Sequence, residues 1–294
     1  MSKKKNVQES VAIKWMETFI EEGTYPQLKQ TEQKVKLLTS SMRNRLEQNE
    51  NKRYEFTKYG LVGRFIAKRI YDTDVVGLNE YLYDLGLFLH VVEVDNKKIQ
   101  ENILYYDIIQ EFRLPDTFYL KPSFNKAGKA LTKLDGFEVN DTWSLEDMAC
   151  ALSIMKPELK QLNAAYEQLK KKILHTPEIQ LLTTLPKEKR TPIKHKYGSL
   201  SVVANQPRYD VAKIYECFGE ELLMEYGVPN INKLEAFILN GTITKKEVDQ
   251  FKRINDIRLD FTVMTLEDEI RLFQMLDQKQ QTAAINRRIN RRGA

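Results

Sequence analysis

Between Asn51 and Gly86 the hydrophobic period changes, and any fold for this chain has to accommodate that change. The stretch reads NKRYEFTKYGLVGRFIAKRIYDTDVVGLNEYLYDLG. In its first half Val62, Ile66 and Ile70 alternate with Arg64 and Lys68, and the aromatic and β-branched content favours strand. Tyr59-Gly60 offers a turn between two arms of a hairpin. In its second half Val76, Leu78, Leu82 and Leu85 return at helical spacing. Asp72 or Thr73 is placed as the N-cap and Gly86 as the stop. Phe88 to Val94 then reads as a strand. Hairpin, helix and strand in this order predict a small α+β unit.

Part of the pattern recurs. Lys58-Tyr59-Gly60, ten residues and Tyr71-Asp72 match Lys196-Tyr197-Gly198, ten residues and Tyr209-Asp210. Each copy leads into an apolar periodic run closed by a glycine, Gly86 or Gly227. Five identities among common residues fit either a duplicated unit or a coincidence, and the segments after the two glycines differ.

The rest of the chain is helical in pattern. Val11, Trp15, Phe19 and Ile20 form one stripe, stopped by Gly23 before Pro26, and Thr31 to Gln48 carries a second. Further helices are expected over Lys98–Phe112, over Ser144–Met155 behind a capping box, and from Pro157 onward. In that last one Leu159, Leu162, Tyr166, Leu169 and Ile173 are spaced by three and four, which predicts an intramolecular helix pair in preference to a short coiled coil. Val211–Tyr226 and a short segment from Asn232 to Gly241 are read as helices too, after which Ile243-Thr244 leads into Lys246–Ile254. A final helix opens at Thr265 and frays after Leu276. The expected fold is α+β, predominantly α-helical, with two small hairpin-helix units joined by helices and a Pro/Lys-rich linker. The boundaries drawn are N-terminal helices over 1–50, an α+β unit over 51–130, a helical connector over 131–175, a basic linker over 176–196, and a mainly helical C-terminal domain with a basic tail over 197–294.

Composition excludes several classes. The chain is 294 residues long, enough for two cores, with 46 basic and 41 acidic residues. Cys150 and Cys217 are too few for a disulfide scaffold or a cysteine-rich zinc site, and are expected to be buried thiols of a reducing compartment. Residues 1–8 read as a solvated basic tail, with no apolar run behind it such as a secretory signal needs. No run is long enough to span a bilayer, so no membrane association and a cytoplasmic location are expected.

No catalytic pattern emerges. Gly128-Lys129 lacks the upstream glycine of a phosphate-binding loop, and no G-x-G-x-x-G follows a strand. His90, His175 and His195 share no metal-ligand spacing, so neither a metal nor a cofactor is expected. Glu93 and Asp95, two apart on an expected strand, would face one way and loosely fit a Mg²⁺ nuclease, but the acid–x–Lys ending of such a strand is missing. A solvated acidic surface is the preferred reading.

Basic residues cluster in three places. The first holds Arg53, Lys58, Arg64, Lys68 and Arg69, with Tyr59 among them. The second holds Lys189, Arg190, Lys194 and Lys196, followed by Tyr197. The third is Arg287, Arg288, Arg291 and Arg292. Clustered cations neutralise phosphates and aromatic faces stack on bases, which points to a non-enzymatic binding protein that contacts nucleic acid. An accessory role in a phage or mobile element fits the Lys-, Asn- and Gln-rich composition. The alternative is a protein-binding inhibitor, adaptor or scaffold that acts through helical surfaces as a homo-oligomer, with a host or partner protein as its target.

Overall fold

The structure is a computed structural model that describes residues 10–293, with side chains through residue 290. It is 59% helical with 20% strand, a predominantly helical α+β fold. The helices are α1 (Val11–Glu21), α2 (Thr24–Leu46), α3 (Val75–Asp84), α4 (Phe88–Val91), α5 (Asn96–Gln100), α6 (Ile103–Ile109), α7 (Lys126–Leu131), α8 (Leu145–Leu174), α9 (Pro177–Thr183), α10 (Val211–Phe218), α11 (Glu221–Tyr226), α12 (Ile231–Leu239), α13 (Lys245–Asp249) and α14 (Leu266–Gly293). The strands are β1 (Arg53–Phe56), β2 (Leu61–Thr73), β3 (Val92–Val94), β4 (Phe118–Phe124), β5 (Ile193–His195), β6 (Gly198–Ala204), β7 (Gly227–Pro229) and β8 (Lys252–Thr265). They form three small sheets, in the orders β1-β2-β8, β3-β7 and β4-β6-β5.

Two compact units result, each drawn from distant parts of the sequence. The first combines the N-terminal segment through Arg64 with Thr117–Asn205 and Phe261–Thr265. The second combines Phe65–Asp116, Gln206–Asp260 and the segment from Leu266 onward. The basic stretch over 176–196, expected as a linker, is folded into the first unit, with Ile179 of α9 fully buried there.

Helix α8 organises the first unit. Near its start Met148, Ala149 and Leu152 pack with Leu38 and Met42 of α2, Phe56 of β1 and Leu61 of β2. Further along, Leu159, Leu162, Tyr166, Leu169 and Ile173 pack with Met16, Ile20, Trp15 and Phe19 of α1 and with Leu120, Leu200 and Val202 of the β4-β6-β5 sheet. The 3,4-spaced seam is therefore used inside the unit. Pro157 does not begin a helix; α8 runs through it. Loss of one backbone donor there is tolerated because both halves of the helix are held by separate cores.

In the second unit a core of Leu78, Leu82, Phe88, Val91, Ile99, Ile214, Leu223, Leu234 and Val248 surrounds the β3-β7 pair. Local caps cut the expected helices into shorter ones. Asn102 accepts from Tyr105 N and ends the 98–112 reading in two pieces, α5 and α6. Gly219, at φ 69°, separates α10 from α11. Asp74, rather than Asp72 or Thr73, caps α3. Phe88–Val91 is a helical turn, and strand begins only at Val92.

Two expectations on β-structure need correction. Val62, Arg64, Ile66, Lys68 and Ile70 are each two apart, so on a strand they stand on one face. Their alternation is not an inside–outside signal, and burial instead changes along β2, from buried Leu61, Val62 and Gly63 to exposed Ile66 through Arg69. Residues 252–265, to which the sequence assigns no element before the helix start at Thr265, form β8. Helix α14 does not fray after Leu276. Asn286 Nδ2 donates to Leu239 O at 2.8 Å and Asn290 Nδ2 to Asn240 O at 3.1 Å, holding its last turns on the end of α12. The thiols also differ from expectation: Cys150 is half-buried and Cys217 exposed. The basic tail over residues 1–8 lies outside the described residues. Among the described residues no helix is long and apolar enough to cross a membrane.

Candidate nucleic-acid interface

The two KYG motifs both turn a chain between neighbouring strands, but they are different objects. At the first, residues 57–59 form a tight helical turn and Gly60 sits at φ 61° with open space around it. Lys58 Nζ lies 5.4 Å from the centre of the Tyr59 ring, and Tyr59 packs on the core below. The second is clasped. Asn125 Nδ2 donates to Lys196 O and Asn125 N to Tyr197 O, both at 2.9 Å. Lys196 N donates to Glu17 at 2.7 Å. A Cβ on Gly198 would lie 1.9 Å from Ser123 O, so that position admits glycine alone. Downstream the copies diverge further: Tyr71 is 45% exposed and Tyr209 only 7%, and Gly86 is left-handed while Gly227 is extended.

Much of the second basic cluster is spent within the fold. Arg190 stacks at 4.7 Å on Phe118 and donates through Nε to Leu185 O. Lys196 Nζ bonds Glu21 at 2.8 Å, and Tyr197 OH donates to the same carboxylate at 3.1 Å. Both bonds hold the Glu21 carboxyl below its ordinary range, and the Glu21 bond pushes the Lys196 ammonium up. Lys189 and Lys194 are exposed.

The first cluster is divided between the units. Arg53, Lys58, Tyr59 and Arg64 belong to the first, where Arg53 pairs with Glu55 at 3.1 Å. Lys68 and Arg69 belong to the second, on the part of β2 that pairs with β8 alone. Here the two strands form a bare ribbon. Residues 66–69, 71 and 72 of β2 and all of 253–258 of β8 are exposed, although side chains alternate between two faces. Both faces are therefore open to solvent. The ribbon carries Lys68, Arg69, Arg253 and Arg258 against Asp72 and Asp256. Arg253 shares a cavity of about 310 Å³ with Asp72 and Asp74. Lys68, Arg69 and Arg258 make no ion pair among the described residues.

Arg253 and Arg258 were absent from the clusters found in the sequence, because isolated arginines spaced by five do not register as a run. The period-two alternation of Leu259, Phe261 and Val263 with Arg258, Asp260 and Thr262 is the signal that marks their strand.

In the third cluster, Arg287 donates to Ala283 O on its own helix, and Arg288 is exposed. Arg291 and Arg292 lie in the last turns of α14, with side chains outside the described residues. Arg287 and Lys252, at the base of β8, line one cavity of about 810 Å³ together with Lys245, Lys279, Leu234 and Val248. The acidic pair of the nuclease reading is otherwise engaged: Glu93 pairs with Lys233 at 3.2 Å, and Asp95 caps α5. Among the described residues no group of three His, Cys, Asp or Glu side chains is placed to hold a metal ion. The chain matches no family model, no curated protein and no solved structure.

Proposed function

We propose that this chain is a non-enzymatic binding protein that contacts nucleic acid through basic side chains. The observation that carries the reading is the β2–β8 ribbon of the second unit, on which Lys68, Arg69 and Arg258 stand exposed without a carboxylate partner among the described residues. Cations left unneutralised on a solvent-exposed element attract polyphosphate, and binding releases the counterions condensed on it. Exposed Lys189 and Lys194 on the first unit supply a separate basic surface.

Filter binding by the full chain at increasing salt tests the reading. Each phosphate neutralised by Lys or Arg contributes about −0.9 to the slope of log affinity against log salt on duplex DNA. Three to four contacts from the ribbon therefore give a slope of roughly −3 to −4. No binding at low salt, or affinity that ignores salt, overturns it.

The second reading, a protein-binding scaffold that assembles with itself, is favoured by α14. Residues 270–282 of that helix are exposed on every side, with Ile270 56%, Phe273 45%, Met275 48% and Leu276 46% accessible. Such clustering is a mark of interaction surfaces. A mass from light scattering that stays monomeric over a wide concentration range removes the self-assembly form of this reading.

A further inference from the structure

We infer that the β2–β8 ribbon is a groove-entering element whose ligand is double-stranded DNA, read from the major groove. The inference rests on the nucleic-acid reading above and sharpens it to one substrate class.

Dimensions come first. Residues 66–72, all exposed but for half-buried Ile70, extend for about 23 Å, and a ribbon of two strands with side chains on both faces is about 10 Å thick. The major groove of B-form DNA is about 12 Å wide and admits a two-stranded ribbon. The major groove of an A-form RNA duplex is deep and narrow, and its wide minor groove offers no comparable slot.

The side chains agree with that choice. Arg69, Arg253 and Arg258 are of the type that bonds the O6 and N7 edge of guanine, and the exposed Asn255 is of the type that reads adenine. Ile66, Ile254 and Ile257 are 42%, 50% and 57% exposed, and apolar contacts of this kind suit the thymine methyl group. Single-strand binders instead stack bases on several aromatic faces. Tyr71 is the one exposed aromatic on residues 66–72 and 253–258.

A bare, isoleucine-bearing ribbon is otherwise a liability, because unpaired strand edges recruit other chains. Lys68, Arg69, Asp72, Arg253, Asp256 and Arg258 blunt that hazard, yet solubility requires no particular sign of charge. The excess of cations, including the three with no ion pair, is explained by a polyanionic ligand.

The test is fluorescence anisotropy of the full chain at low salt with three labelled probes of one mixed sequence: a DNA duplex, an RNA duplex and a DNA single strand. R69A/R258A and, as a control on the first unit, K189A/K194A are measured alongside wild type, with helix content followed by circular dichroism. The inference expects the DNA duplex to bind about tenfold or more tightly than the other two, and R69A/R258A to weaken it about tenfold or more at unchanged helix content. Replacing guanine by 7-deazaguanine, which removes a major-groove acceptor, should weaken wild type and leave R69A/R258A little changed. Equal affinity for RNA or single strand, or R69A/R258A binding like wild type while K189A/K194A loses affinity, overturns the groove assignment and leaves nucleic-acid binding standing. Absence of salt-dependent binding to all three probes overturns both.

Discussion

The proton on neutral His195 has one nitrogen to occupy. Tyr197 N donates to its Nδ1 at 3.3 Å, so Nε2 carries the hydrogen, and Nε2 is buried with no acceptor. Charging the ring requires a proton on Nδ1, which would break the Tyr197 bond and place a cation beside the edge-on Phe124 ring. Burial lowers its pKa from the ordinary 6.5, while the nearby Glu17 carboxylate works in the opposite direction. A histidine harder to protonate in the folded state than in the unfolded one costs nothing above pH 6.5. Below it the unfolded chain binds a proton that the native chain does not, so stability falls with pH from about 6.5 down to the lower native value. Urea denaturation of wild type and His195→Gln between pH 8 and 5 measures this: the midpoint difference should shift in favour of the variant as pH falls. A pH-independent difference would refute it. In the sequence this histidine offers no metal-ligand spacing and stands in a run of basic residues. Its neighbours Arg190 and Lys196 looked equally available there. Whether a cation meets Phe118, Glu21 or solvent depends on segments more than sixty residues away, so composition could not separate spent charges from free ones.

Elements were legible wherever one face of a segment met one core. Helices α1, α2 and α12 are amphipathic in that sense, and their apolar stripes mark them. Strand β8 escaped because half of it has no core at all: its exposed residues carry no inside–outside pattern to read. Pro157 misled in the opposite direction. A helix start was inferred from a residue that merely interrupts one hydrogen bond of a 30-residue helix. Proline inside a helix costs about 3 kcal/mol relative to alanine, and Pro157 is exposed, so its ring contributes little packing in return. Pro157→Ala should therefore stabilise the first unit by about 1–3 kcal/mol, read as a raised urea midpoint. A destabilised variant would show that the interruption sets a bend on which packing at Leu152 or Leu159 depends.

At the scale of the whole molecule, the chain passes between its two units five times, a plan that no reading of contiguous boundaries could recover. The pairing of β2 with β8 joins segments about 190 positions apart, and only the three-dimensional fold brings them into register. One consequence is that a single strand has two fates. Near its end Val263 is 2% exposed, packed with Leu38, Met42, Leu61 and Met148 in the first unit. Nine residues earlier, in the second unit, Ile254 is 50% exposed on the bare ribbon. The same substitution at the two sites should separate these roles. Val263→Asp buries an unpaired carboxylate and should cost on the order of 4 kcal/mol, enough to unfold a marginal unit. Ile254→Asp should change stability by about 0.5 kcal/mol or less, since half of that side chain already faces solvent. Its effect belongs to binding: a carboxylate on the ribbon should weaken DNA affinity through repulsion of phosphate, leaving the urea midpoint near that of wild type. If Ile254→Asp instead destabilises the protein as Val263→Asp does, the ribbon is buried in solution, and its basic side chains serve the fold or an assembly rather than a groove.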